Sequence, residues 1–134
     1  MIQISEPSVG TLYEQIGGAV KLRELVDRFY DLMALEPELD GILKLHPTSL
    51  TNSRDKLFWF LSGWMGGPQL YIEKFGHPML RARHLPFKIG IAERDQWMSC
   101  IKTAMLDLQI EPKLQERLLR SLYETADWMR NQEG

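Results

Sequence analysis

The longest regular pattern in the chain begins at Ala19, after which Leu22, Leu25, Val26, Phe29 and Met33 recur three or four positions apart. That spacing puts them on one face of an α-helix, and the Pro37 segment sets the limit beyond which the helix does not run. Tyr30 lies at the edge of the stripe. Upstream, "LYEQIGG" predicts a short helix that Thr11 caps, with Glu14 as the reciprocal partner three residues on and the Gly17-Gly18 pair as its breaker. Downstream, "LEPELDGILKLHPTSLTNS" mixes prolines, Gly41 and capping residues, and reads as short helical turns. Leu50, Ser53, Leu57, Phe60, Leu61 and Trp64 mark one face of the next helix, which stops at "GGP", residues 66–68; Ser53 interrupts its apolar stripe.

Gln69 to Pro78 reads as a loop. Met79 to His84 then forms a short helix, because Pro86 lacks an amide hydrogen and disfavours the α conformation at Leu85. Trp97, Ile101, Ala104, Met105 and Leu108 trace another amphipathic helix, and Leu114, Leu118, Leu122, Thr125 and Met129 a last one that opens near Pro112. No alternating strand pattern, internal repeat or low-complexity tract interrupts this order. The expected fold is all-α, without a linker.

Composition narrows the class. With 134 residues, 44% hydrophobic and 25% charged, the chain suits one domain around one substantial core, and this is not the composition of a disordered or fibrous protein. A net charge of −2 gives no general attraction to nucleic acid or to anionic lipid, so neither is an expected partner. Cys100, the only cysteine, excludes an intramolecular disulfide framework and a cysteine-rich zinc site, and its helical spacing from Trp97 and Ala104 reads as a small buried residue. "MIQISEPSVG" has neither the basic nor the apolar region of a signal peptide, and no apolar run spans a bilayer; the expectation is a soluble cytoplasmic protein.

The candidate chemistry centres on the histidines. His84 falls in the last turn of its short helix, where an imidazole commonly faces the negative end of the helix dipole or bonds the last carbonyls, but where one ring nitrogen is also free to point away. His77, before Pro78, reads as structural or solvated, and no His-x-x-x-His or Glu-x-x-His pair points to zinc or di-iron.

In their order along the chain, "YEQIGG", "DRFY", "GGP", "GHPMLRARHLPF" and "RDQWMSC" resemble the group II truncated haemoglobins. The similarity covers about residues 11 to 130, and "HPMLRARHLPF" followed by "ERDQW" at their mutual spacing is its most specific part. The resemblance implies a two-over-two sandwich of helices enclosing one b-type haem per chain, with residues 1–10 as an extension and 11–134 as the globin domain. It implies His84 as the proximal iron ligand, a role that suits neutral imidazole and leaves the opposite coordination position open to a diatomic gas. On the distal side Tyr30 and Trp97 match donors that face the ligand; without the match both are ordinary core aromatics. His46 matches a corner position of variable identity, and three roles stay open for it: bonding the ligand or Tyr30, binding the iron itself, or covering the haem edge. Ser53 matches the position of the ligand-gating residue of many other globins, where a short side chain implies an easier entrance, and Leu57 and Phe60 match the apolar lining. Lys56, Tyr71 and Arg83 match propionate contacts; without the match Lys56, Arg81 and Arg83 are solvated charges.

The implied function is reversible binding of O2, and of NO or CO, for storage, delivery or sensing. The alternative is a redox enzyme, either a peroxidase or a nitric oxide dioxygenase served by an unidentified electron donor. A haem-free helical interaction module is the reading from a third class. Monomer and homodimer are both compatible with the sequence.

Overall fold

The capping box at the start of the chain's first helix forms as the sequence dictates. Thr11 Oγ1 accepts the Glu14 N–H at 3.1 Å, and Glu14 Oε1 accepts the Thr11 N–H at 2.9 Å, which fixes α1, Leu12–Ile16. Gly17 then adopts φ 115°, a left-handed conformation that favours glycine, and turns the chain into α2, Gly18–Leu35. The computed structural model describes residues 10–133, so all but one residue of the expected N-terminal extension lies outside the described residues.

After α2, a 3-10 turn at Pro37–Leu39 and α3, Asp40–Leu43, lead to α4, Thr51–Trp64. Then come α5, Leu70–Phe75; α6, Leu80–His84; α7, Ile91–Asp107; and α8, Pro112–Trp128. No strand occurs among the described residues. Helix α2 packs on α4, α7 packs on α8, and the two pairs meet through α2 and α7. The core sits at that meeting. Leu22, Leu25, Val26, Phe29 and Met33 of α2 are buried against Ile101, Ala104 and Met105 of α7, Leu61 of α4, and Leu114, Leu118 and Leu122 of α8. Each such large apolar side chain contributes about 1.5–3 kcal/mol by leaving water.

Two features differ from the sequence expectation. Gln69 to Pro78 is not a loop throughout, since α5 occupies its middle. Helix α5 buries no residue, so it lacks the apolar stripe by which a helix is read from sequence. The most enclosed polar residue of α4 is Ser62 rather than Ser53: Ser62 is buried and donates its hydroxyl to the Pro68 carbonyl at 2.7 Å, whereas Ser53 is half-buried. Leu57, Phe60 and Trp64 are only partly buried, because α4 turns one flank to the core and leaves the other open. At the GGP corner the glycines are required. Gly66 has φ 88°, and a Cβ on Gly67 would lie 2.5 Å from the Tyr13 ring. The last helix stops one residue before Met129, which is its C-cap.

Candidate functional site

Helix α6 presents His84 with its chemistry already fixed. The Nδ1 atom lies 2.7 Å from the Leu80 carbonyl, one turn back along the same helix. A carbonyl only accepts, so Nδ1 carries the proton and Nε2 is left with its lone pair. That is the tautomer a metal requires, and Pro86, by ending the helix, leaves the ring at its terminus. Along the chain on both sides of His84 apolar side chains stand in the open: Leu85 is 57% exposed, Phe87 42%, Met79 57% and Ile91 40%. An apolar disc laid against His84 would cover such a surface, which is the first point on which these residues fit a haem.

Helices α2 and α7 and the turn that follows α3 bring Tyr30, His46 and Trp97 together. Phe29 joins them, its ring 4.9 Å from Tyr30 edge-on and 5.1 Å from Trp97, while the Tyr30 and His46 rings are 5.7 Å apart at 81°. Sequence reading passed over Phe29 as core, although its place beside Tyr30 on the same stripe was the available signal. Tyr30 is 5% exposed, and its hydroxyl meets no protein partner among the described residues; the Trp97 indole N–H meets none either. Buried donors are almost always satisfied, so an orphaned phenol fits a pocket that a ligand completes. Burial pushes the Tyr30 phenol above its ordinary value against the opposing charge of Arg54, whose guanidinium lies 5.8 Å from the ring centre, so the hydroxyl remains a donor at neutral pH.

His46 is held from below. Its Nδ1 donates to the Ile42 carbonyl at 2.8 Å, and α3 is itself held by Gln96 of α7, whose Oε1 accepts the Ile42 N–H at 3.0 Å. A Cβ on Gly41 would lie 2.7 Å from the same Gln96 atom, so glycine permits this approach. Burial depresses the His46 pKa, partly offset by the Ile42 carbonyl, and the nearby His84 depresses it further. His46 is therefore neutral at pH 7, with its lone pair on Nε2.

The three residues matched to propionate contacts converge on α5. Arg83 lies over the Tyr71 ring at 5.8 Å, Tyr71 is 4.9 Å from Phe75, and the Lys56 ammonium is 5.9 Å from the Phe75 ring. Neither Lys56 nor Arg83 has a carboxylate partner among the described residues, which leaves both charges available to an anionic group. Phe60 contacts the same cluster, 6.4 Å from Tyr71. Leu57 packs on the core from α4, and Ser53 lies in that helix's first turn. Arg81 is not simply solvated: it donates to the Trp128 and Arg130 carbonyls. His77, as expected, is structural, its Nδ1 accepting the Met79 N–H at 3.1 Å before α6. Cys100 is buried as expected, its thiol donating to the Phe29 carbonyl at 3.0 Å and pushed up to about 12 by burial, so it is no thiolate ligand.

Two pairs of packed helices, with a lone-pair imidazole at the end of α6 and orphaned donors on α2 and α7, define a globin of the two-over-two class. The bacterial-like globin family matches residues 11–131, and the chain belongs to that family. Within it, the group II truncated haemoglobins are its relatives. The group 2 truncated hemoglobin YjbI of Bacillus subtilis is 46% identical over 120 residues, covering 90% of this chain and 88% of the relative. The group II 2-on-2 hemoglobin of Agrobacterium tumefaciens superimposes with a TM-score of 0.89 at 44% identity, covering 97% of this chain and all of the other (100%). A truncated oxygen-avid haemoglobin from Bacillus subtilis does so at 0.83 and 44%, covering 91% and 100%. Haem and a diatomic gas are what this family binds, and among the described residues no helix is long and apolar enough to cross a membrane.

Proposed function

We propose that the chain binds one b-type haem through His84 and holds O2, with NO and CO as further ligands, beside Tyr30 and Trp97. The observation that carries this reading is the His84 Nδ1 bond to Leu80, which leaves Nε2 as a ready ligand to iron. When bound, the haem would supply a ferrous iron able to take a diatomic gas. The chain's residues do the rest. Tyr30 and Trp97 would donate hydrogen bonds to the gas, and Leu57 and Phe60 would keep water out. Short Ser53 leaves the entrance wide. Lys56, Tyr71 and Arg83 pair with the two propionates.

His46 takes a narrower role than the sequence alone allowed. With Nδ1–H given to Ile42, its Nε2 accepts and does not donate, so the residue cannot donate to the gas and would take the Tyr30 proton, or bind the iron, only while no gas is present. Storage or sensing of oxygen is favoured by the number of donors, since the oxygen-avid relative from Bacillus subtilis has the same fold. The same donors favour redox chemistry as the second reading, because they polarise an O–O bond; no nitrate when NO meets the oxygenated protein, together with no substrate turnover on adding peroxide, removes that reading.

Optical spectra of the ferric, ferrous, oxygen-bound and CO-bound protein test the proposal. A Soret band and reversible oxygenation are the expected result. His84→Ala is expected to lose haem or to change its ferrous spectrum, with added imidazole partly restoring it. A colourless, folded protein that takes up no haemin returns the chain to the haem-free helical class.

A further inference from the structure

Helix α6 carries the central residue of the site and is poorly supported. It is five residues long and buries none of them, and so short a helix has no stability of its own. What holds it is the segment that follows α8. Asn131 Nδ2 donates to the Phe87 carbonyl at 2.7 Å and to the carbonyl of His84 itself at 3.3 Å. The Asn131 side-chain oxygen accepts the Ile89 N–H at 3.0 Å, and the Asn131 backbone N–H donates back to Ile89 at 2.8 Å. From the other side Arg81, one turn before His84, donates to the Trp128 and Arg130 carbonyls and lies over the Trp128 ring at 5.2 Å. These bonds satisfy the α8 C-terminus and immobilise both ends of the turn that carries His84.

We infer that Asn131 and Arg81 are positioning residues for the proximal histidine, so that the chain beyond α8 acts as a latch that sets the height and tilt of the His84 ring. The inference rests on His84 as the iron ligand. One amide satisfies three backbone groups of the connection between α6 and α7, so no other single side chain among the described residues fixes His84 as fully. The platform under the latch is firm, because Asp127, four residues before Asn131, is held to α7 by Arg94 at 2.8 Å.

The test uses the haem-loaded protein and three variants. Asn131→Asp keeps the shape and the bond to Ile89 but removes the donor to His84 and Phe87; Asn131→Ala removes all the side-chain bonds; Arg81→Gln removes the guanidinium. Resonance Raman spectra of the ferrous, unliganded protein read the iron–histidine stretch, and transfer of haem to excess apomyoglobin reads its release. In each variant the iron–histidine band is expected to shift or broaden. Haem release should be faster by about tenfold or more, the scale of one lost hydrogen bond at a ligand-bearing helix. Arg120→Ala, which removes an exposed pair within α8, should change neither reading by as much as twofold. If Asn131→Ala does not fold, Asn131→Asp carries the same expectation. A wild-type band retained unchanged in Asn131→Asp and Arg81→Gln, with release within twofold, overturns the latch. A wild-type protein whose band survives His84→Ala overturns the ligand assignment instead.

Discussion

On the proposed function Tyr30 and Trp97 hold the two donors on which gas selectivity would turn, and they differ in how they are placed. Tyr30 is enclosed, with Arg54 over its ring and His46 at its edge, whereas Trp97 is half-buried and braced by Phe29. Oxygen in the pocket gathers negative charge at its outer atom, and CO gathers almost none, so a donor slows oxygen release far more than CO release. A hydrogen bond to a charged acceptor contributes about 1.5–3 kcal/mol, which predicts oxygen release about ten- to a hundred-fold faster in Trp97→Phe. The phenyl ring keeps contact with Phe29, although its smaller volume leaves a gap that raises both off-rates slightly. Tyr30→Phe removes only a hydroxyl, and its effect is smaller, or reversed, where that hydroxyl is chiefly the partner of another donor. Stopped-flow release of both gases from the two variants checks this. Oxygen rates within twofold of wild type in both would mean that neither residue stabilises the ligand.

Helices were legible where they bury a stripe and illegible where they do not. Leu22, Leu25, Val26, Phe29 and Met33 announced α2, and Leu114, Leu118 and Leu122 announced α8, because each row is wholly buried on one side. Helix α5 gave no such signal, since Leu70, Tyr71, Ile72 and Phe75 stay half-buried or exposed and are read as loop residues beside "GGP". Its position depends instead on a corner that a pattern of apolar residues cannot reveal: Ser62 reaches forward to Pro68, and Gly67 lets the Tyr13 ring close over the turn. Of the proposed site, His84, Tyr30 and Trp97 are proposed from motif; Asn131 has no such signal, because its partners are backbone groups distant in sequence. The corner makes a prediction at this scale. Ser62→Ala leaves a carbonyl without its buried donor at a cost of about 1–2 kcal/mol, which lowers Tm by about 3–8 °C in a domain of this size. Calorimetry on the apoprotein and the haem-loaded protein measures it, and a fall under 1 °C would show that water replaces the hydroxyl.

On the scale of the molecule, α7 and α8 are tied at one end of their pair by charge, beyond the apolar core that they share. Arg94 of α7 bonds Asp127 of α8 at 2.8 Å and Asp95 beside it, and lies 4.9 Å from the Tyr123 ring; Arg130 bonds Asp127 at 2.7 Å. Arg130, and after it Arg94, hold the Asp127 carboxyl below its ordinary value of 3.8. A carboxylate whose folded pKa is depressed favours the folded state fully above its unfolded pKa and loses that contribution as pH falls through the folded value. The tie between α7 and α8 should therefore be intact at neutral pH and fail in acid, below about pH 4. Other carboxylates titrate over the same range, so the wild-type curve alone does not isolate it. The comparison with Asp127→Asn does, because every other group is common to both proteins. Tm should be lower in the variant at pH 6, and the gap between the two curves should narrow as pH falls from about 5 to about 2. A gap that stays constant across that range would mean that Asp127 owes nothing to its charge. A gap that closes, with haem release accelerating over the same interval, would link the acid stability of the fold to the end of α8 from which His84 is held.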